Sequence, residues 1–510
     1  VYFQASFFWK DAKKYREKQM KLNILNFKTD SGIPLIFDNY SGLVIAENEN
    51  TEHILRQIDS RKEEIIKSLD LKKYELKEFD IEYNFLKKLV ENGYFNYESF
   101  ERVQDKEPMG IYDGMSSHLI LITTEDCNLR CKYCVYSDFY KDKKTYSSKT
   151  MTIETAIKAV NLFKKYHEEK IKRGYEKRAK INFYGGEPLL NFGVIEAVVN
   201  YVNSIDMENV DYLMTTNGTI MNDKILNFLA KNKFLIAFSL DGDVNNHNRN
   251  RVTIAGDETH EIIVNQIIKY WELLQKYGNS DQIINITCCY DNYSDMEKIS
   301  DFFEKFRLKV PNLNVIYNKV YDVDTEYYMY CEKIYKNLLT NSNNYEQSIK
   351  KLFKKHYTNN TKYIIPKSVK SLFISYYLLK NRKKGNINLY QGNACVIGDK
   401  MSVAPDGKIY ICEKANQEVS IGDIDKGIDL GKIEKIYHKF FKIKEEYCMN
   451  CPISRLCDVC YVHFIKYDDI VFNKEFCEKR KKSYVRALEF IYSKLYENGK
   501  IFDLEDEVLK

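Results

Sequence analysis

Residues 118–134 read HLILITTEDCNLRCKYC. The first seven are an apolar, β-branched run of strand type, and the rest is a polar loop. In that loop Cys127, Cys131 and Cys134 are separated by three residues and then by two. A structural zinc site takes four ligands, usually as CxxC pairs, and no fourth ligand lies nearby. A disulfide framework takes an even number of cysteines. Three thiols suit a cofactor that keeps one metal position for something else.

Working outward, the strand-then-loop unit repeats. HLILITT, KINFYG, DYLMTT, FLIAFSL, INITCCY and NLNVIYN read as strands. Between them, five segments such as TIETAIKAVNLFKKYHEEKIK and GVIEAVVNYVNSI repeat apolar residues at helical spacing. Such alternation predicts parallel strands with crossover helices. Six units fall short of the eight of a complete barrel, so the expected class is α/β, a partial (β/α)6 TIM-like barrel over 117–325. Polar motifs fall just after the first four strands: the three-Cys loop, GGEP (185–188), TTNG (215–218) and SLDG (239–242). The C-terminal strand ends form the active face of parallel α/β folds.

Three thiolates account for three irons of a four-iron cluster and leave the fourth iron open. CNLRCKYC also resembles the CxxxCxxC signature of radical S-adenosylmethionine enzymes, and GGEP and SLDG extend that resemblance across 117–325. It implies that the open iron takes the amine and carboxylate of S-adenosyl-L-methionine, and that an electron from the cluster releases a 5′-deoxyadenosyl radical. By the same resemblance Tyr133 packs against the adenine, and Gly185 and Gly186 let the backbone approach the ligand. Glu187 accepts from the ammonium group. Ser239 and Arg251 match positions that contact the ribose or carboxylate, with Asn217 and Asp241 as further contacts.

Of thirteen cysteines, seven more lie between Cys395 and Cys477. With no secretory signal, metal binding is favoured over disulfides. The arrangement resembles the SPASM domain, which carries two auxiliary 4Fe–4S clusters. That implies three clusters in all, with Cys395, Cys412 and Cys460 on the first auxiliary cluster and Cys448, Cys451, Cys457 and Cys477 on the second. The family has three residues before the cysteine that matches Cys460, and this chain has two. Glu413 stands where sulfatase-maturing relatives carry an Asp base, and a Glu can also take a proton. Cys288 and Cys289 lie in a strand-like run and read as buried; Cys331 falls outside both groups.

Composition narrows the rest. The chain has 510 residues, is 44 % hydrophobic and 30 % charged, and has net charge +5. These values fit a soluble folded protein and give no ground for nucleic acid. No apolar run is long enough to cross a bilayer. VYFQAS reads as a tag remnant, so 1–6 are set apart. Residues 20–105 read as three short strands and two helices, the first opening at Thr51 as N-cap, and suggest a winged-helix-like unit. That unit is either a docking domain or a packing lid. Residues 326–390 read as a helical bridge, 391–485 as the SPASM-like domain and 486–510 as a helical tail.

Sulfatase maturases begin close to their three-Cys loop, whereas over a hundred residues precede it here. The extension resembles the leader-recognition element of enzymes that modify ribosomally made peptides. The resemblance therefore implies a cytoplasmic peptide maturase that binds a precursor through its leader and takes electrons from a flavodoxin or ferredoxin. A Cys thioether is the leading product. Anaerobic sulfatase maturation is the alternative, and a non-catalytic iron–sulfur or zinc scaffold is the alternative of another class.

Overall fold

A computed structural model describes residues 22–69, 75–95, 116–140, 145–174, 178–205, 207–320, 325–335, 395–415, 419–457, 459–466 and 469–498. The tag remnant, the expected bridge beyond 335 and the end of the tail lie outside them.

The N-terminal unit opens with β1 (Ile24–Lys28), β2 (Pro34–Asp38) and β3 (Val44–Ala46), an antiparallel sheet with β2 in the middle. Side chains on a strand alternate between faces, and both faces of β2 are covered. Ile36 packs with α1 (Thr51–Arg56), α2 (Lys62–Leu69) and α3 (Leu76–Glu91) through Ile54, Leu55, Ile65, Phe79 and Leu86. Leu35 and Phe37 point the other way, onto Leu456, Leu488 and Ile491. The helix expected to run on from Thr51 is therefore two helices. Asp59 and Ser60 sit at the break, and both favour turns over helix interiors. Asn50 takes the N-cap position, while the Thr51 hydroxyl bonds to Glu82 on α3.

The central sheet holds β4 (His118–Thr124), β5 (Ala179–Gly185), β6 (Val210–Thr216), β7 (Leu235–Ser239), β8 (Ile284–Tyr290) and β9 (Leu313–Lys319), parallel and in chain order. The crossovers are α4 (Ile153–Lys172), α5 (Phe192–Ser204), α6 (Asp223–Lys231), the short α7 (Val244–Asn248) with α8 (His260–Lys276), and α9 (Met296–Arg307). Thr152, Asn222 and Asp295 cap α4, α6 and α9 through side-chain oxygens, as such residues do. One face of the sheet packs on these helices through Leu119, Ile181, Phe183, Ile236 and Ile286. The alternate residues, among them Asn182, Tyr184, Thr215, Thr287 and Cys289, line the half-buried inner face.

After α10 (Tyr327–Tyr335), the C-terminal region returns to the same sheet. β10 (Lys400–Val403) pairs parallel with β4, and β11 (Lys408–Tyr410), β12 (Ser420–Asp423) and β13 (Gly427–Ile428) extend it antiparallel to ten strands. α11 (Leu430–Ile443) packs its buried face into the main core, and α12 (Lys474–Asn498) runs unbroken across the boundary expected at 485. Among the described residues no helix is long and apolar enough to cross a membrane.

Candidate active site

The four polar motifs follow β4 to β7 and meet at one end of the sheet. Gly186 N donates to Thr124 O at 2.9 Å and Glu187 N to Asp126 O at 2.9 Å, so GGEP is laced to the start of the three-Cys loop. A side chain on Gly185 or Gly186 would bring its Cβ inside 3.0 Å of Thr124 O or Asp126 O. Gly185 also has φ +147, a conformation side chains disfavour. Both positions need glycine because two backbones meet there.

Glu187 is 1 % exposed. Its Oε1 accepts from Leu189 N at 3.1 Å and Thr216 Oγ1 at 2.7 Å, and its Oε2 from Asn217 N at 2.7 Å. Burial pushes its pKa up to about 7 despite these donors. Three of the four acceptor sites of a carboxylate are taken. Asn217 carries the chain of contacts onward: its Nδ2 donates to Asn128 Oδ1 at 2.9 Å and reaches Cys127 Sγ at 3.8 Å.

Beneath the loop lies a buried ion pair. Asp241 Oδ2 accepts from Arg251 Nε at 3.0 Å and from the Tyr133 hydroxyl, and Oδ1 accepts from Cys289 N at 2.8 Å. Arg251 also lies over the Tyr133 ring, 5.4 Å from its centroid, and reaches Cys131 Sγ at 3.7 Å. Asp241 is therefore the hub that fixes Tyr133 and Arg251. Ser239 ends β7 beside this hub, 8 % exposed. Removing one member of a buried pair strands the other charge, at about 3–5 kcal/mol. Asp241→Ala should lower Tm markedly in a thermal melt, and a melt like that of the parent would remove the hub role.

Cys127, Cys131 and Cys134 share one buried cluster with Leu129, Tyr133 and Tyr327. Burial holds the Cys127 thiol up at about 12 and raises Cys131 as well. A metal would deprotonate such thiols outright. Leu129 N at 3.4 Å and Asn217 on Cys127, with Arg251 on Cys131, are the kind of donors that support metal-bound thiolates. The donor set fits an iron–sulfur cluster. Among the described residues, no three His, Cys, Asp or Glu side chains group as ligands of a single ion. A four-iron cluster instead spreads its thiolates over separate irons.

Cys412, Cys448, Cys451, Cys460 and Cys477 are half-buried, and burial raises the thiol pKa of each. Burial holds Cys460 up at about 12, with Cys412 and Cys395 adding to it. Cys477 is likewise held up at about 12 by burial, then by Cys448 and Cys451. Cys457 lies against the main core with Cys460 and Cys477. Glu413 is half-buried next to Cys412, and its charge is felt by Tyr184 and by His118.

Several residues escaped the sequence reading. Cys288 is core, as expected, but Cys289 turns to the inner face beside Tyr133, and Cys331 joins the buried cluster around the three-Cys loop. Tyr184 stands on the half-buried inner face of β5, and burial, then the charges of Glu413 and Cys134, raises its pKa; strand alternation from Ile181 and Phe183 would have found it. Tyr327 donates to Asn250 Oδ1 at 3.0 Å and to Asp291, itself paired with Arg249 at 2.7 Å, and so pins α10 over the site. Nothing in the sequence announces that contact.

Residues 121–303 match the family model described as the Radical SAM superfamily. The chain carries a radical SAM domain. That family implies S-adenosyl-L-methionine and a [4Fe–4S] cluster as cofactors. The radical SAM cyclopropyl synthase TigE of Paramaledivibacter caminithermalis is 29 % identical over 266 residues, 48 % of this chain and 54 % of that protein. A cysteine-type anaerobic sulfatase-maturating enzyme of Clostridium novyi is 28 % identical over 195 residues, 37 % of this chain and 48 % of that protein. The matches thus span about half the length of these relatives. The solved structure of native anSMEcpe with bound AdoMet has TM-score 0.50 and 21 % identity, covering 74 % of this chain and 98 % of that one. At that identity the likeness is one of fold.

Proposed function

We propose that this radical SAM protein is a peptide maturase that grips a precursor by its leader and closes a crosslink in the core peptide. The observation that carries this reading is a groove of about 330 Å³ on the N-terminal unit, lined by Ala46, Thr51, Glu82, Ile81, Phe85 and Leu86. It runs between β3, an edge strand of its sheet, and α3. Ile81 and Phe85 stand 66 % and 52 % exposed there. An edge strand beside apolar side chains suits an extended peptide, which gains affinity from main-chain hydrogen bonds and specificity from pockets.

At the sheet, Cys127, Cys131 and Cys134 would hold the radical cluster. When bound, that cluster supplies the electron that opens the sulfonium bond of S-adenosyl-L-methionine. The fourth acceptor site of Glu187 suits the ammonium group of that ligand, and Tyr133 and Arg251 are held ready by Asp241. Cys395, Cys412 and Cys460 would carry one auxiliary cluster with an open iron for a substrate thiolate, which favours a thioether. Cys448, Cys451, Cys457 and Cys477 would carry the other, and a flavodoxin or ferredoxin would feed electrons. Closing a thioether breaks one S–H and one C–H bond and forms one S–C bond. One hydrogen atom would leave in 5′-deoxyadenosine, the thiol proton would go to solvent, and the remaining electron would be taken up by an auxiliary cluster on the C-terminal thiols.

Sulfatase maturation is the second reading. It is favoured by the relatives named sulfatase-maturating enzymes, whereas Glu413, standing in place of the Asp of that group and differing in reach, counts against it. The test uses a synthetic leader-plus-core peptide encoded by any small open reading frame found beside this gene. Anaerobically reconstituted protein should turn over S-adenosyl-L-methionine and leave that peptide lighter by two hydrogen atoms. Ile81→Glu with Phe85→Glu should weaken its binding in fluorescence anisotropy by at least about tenfold, for the loss of two apolar anchors. It should leave peptide-free cleavage unchanged. Unchanged binding would sink the docking role, and conversion of a sulfatase cysteine to formylglycine would move the assignment to the second reading.

A further inference from the structure

The open end of the β1–β2 pair carries two asparagines side by side, with Asn39 N donating to Asn23 O at 3.1 Å. Asp38 fixes the turn that holds Asn39. Its carboxylate accepts from Tyr40 N at 3.0 Å, from Ser41 N at 3.2 Å and, from beyond α3, from Phe95 N at 3.0 Å. Asn39 is fully buried, and its side chain reaches residues 448–457, the segment that carries Cys448, Cys451 and Cys457. Its Nδ2 donates to Cys451 O at 3.3 Å and to Ser454 Oγ at 2.8 Å, and its Oδ1 accepts from Arg455 N at 2.9 Å. Asn23 Nδ2 donates to Met449 O at 3.2 Å, and Tyr40 O accepts from Arg455 Nη1 at 2.7 Å. Leu456 packs into the same seam with Phe27, Leu35 and Phe37.

We propose that Asn39, with Asn23 beside it, is a positioning residue for the auxiliary cluster on Cys448, Cys451, Cys457 and Cys477, so that the N-terminal unit forms part of that cluster's site. The inference rests on the reading that these four thiols hold a cluster. All four are half-buried, and four thiols match the four irons. Such thiolates must point at four irons at once. The segment 449–457 runs through turns rather than helix or strand, so no regular element sets their directions. Its own turns are short: Cys451 N donates to Cys448 O and Ser454 N to Cys451 O, both at 3.1 Å. Partners outside the ligands then do the orienting. Asn39 suits that task because one planar amide uses both its ends, tying Cys451 to Arg455 across the turn between two of the thiols. The unit that bears the peptide groove thereby also shapes a metal site in the C-terminal region.

Asn39→Asp keeps the shape and the Oδ1 acceptor but sets an oxygen against Cys451 O. In full-length, anaerobically reconstituted and reduced protein, Cys451→Ala identifies the EPR signal of this cluster by its loss. Asn39→Asp should change the line shape of that signal and speed release of its iron to bathophenanthroline disulfonate by about tenfold. The other signals should stay as they are. Asn23→Ala, a milder change at the rim, should act in the same direction and carries the test if Asn39→Asp does not fold. Phe27→Leu thins the apolar part of the same seam, and should lower Tm with the signal and the iron release unchanged. Parent line shape and parent release rate in the asparagine variants would overturn the proposal. So would an equal change in Phe27→Leu, since the role would then be packing alone. If Cys451→Ala removed neither signal nor iron, the cluster reading itself would fall, and this assignment with it.

Discussion

Changing Cys127, Cys131 and Cys134 together to Ala is expected to abolish formation of 5′-deoxyadenosine. The three thiols lie within one buried loop, and each makes up part of the same apolar pocket around Tyr133 and Tyr327. Ala is smaller than Cys and tolerates burial, so the sheet below should stand. The loop is pinned from outside the sulfurs by Gly186 N on Thr124 O, Glu187 N on Asp126 O and Asn217 on Asn128. On the proposed reading, the iron of the C-terminal thiols should remain, because those thiols come from other segments. Anaerobic assays with dithionite would read the nucleoside by chromatography and iron by colorimetry. Residual 5′-deoxyadenosine at the parent rate would show that the electron reaches S-adenosyl-L-methionine elsewhere.

The second large effect is expected at Gly186. Its added Cβ would meet backbone, the Asp126 carbonyl and the Cys127 nitrogen, rather than a side chain that could swing aside. The only relief is to part GGEP from the three-Cys loop. That would break the Glu187–Asp126 bond and shift the Glu187 carboxylate and, through Asn217, the donor to Cys127. A shift of about 1 Å in a reacting centre can cost roughly a hundredfold in rate. Gly186→Ala should therefore lower S-adenosyl-L-methionine cleavage by about that factor, with a smaller loss of Tm. Gly193, which has open space around an added Cβ, provides the control: Gly193→Ala should leave the rate as it was. Equal rates in both variants would mean that the close approach at Gly186 does not position the site.

The parallel sheet was legible because its signals are local. Each apolar run, such as HLILITT or DYLMTT, ends at a polar motif, and each helix carries its own spacing and cap. The residues at the strand ends followed from that placement. What escaped depends on contacts between distant segments. That Asp241 would take Tyr133, Arg251 and the Cys289 amide at once requires four separate parts of the chain to meet. The split of the helix after Thr51 and the use of both faces of β2 likewise depend on partners, α3 and α12, that lie far off in sequence. The N-terminal unit has an open groove on one side and a buried face on the other, where Phe37 packs on Leu488 and Ile491.

That β10 lies in register with β4, Lys400 beside His118 through Val403 beside Leu121, has a practical outcome. A fragment cut before residue 395 would bare the backbone donors and acceptors along one side of β4, in the middle of what is now a ten-stranded sheet. Exposed strand borders of this kind recruit other chains and drive aggregation. Swapping the C-terminal cysteine region between relatives would need to carry over this strand pairing as well as the thiols. β10 thus seals the open side of β4, the first strand of the parallel set.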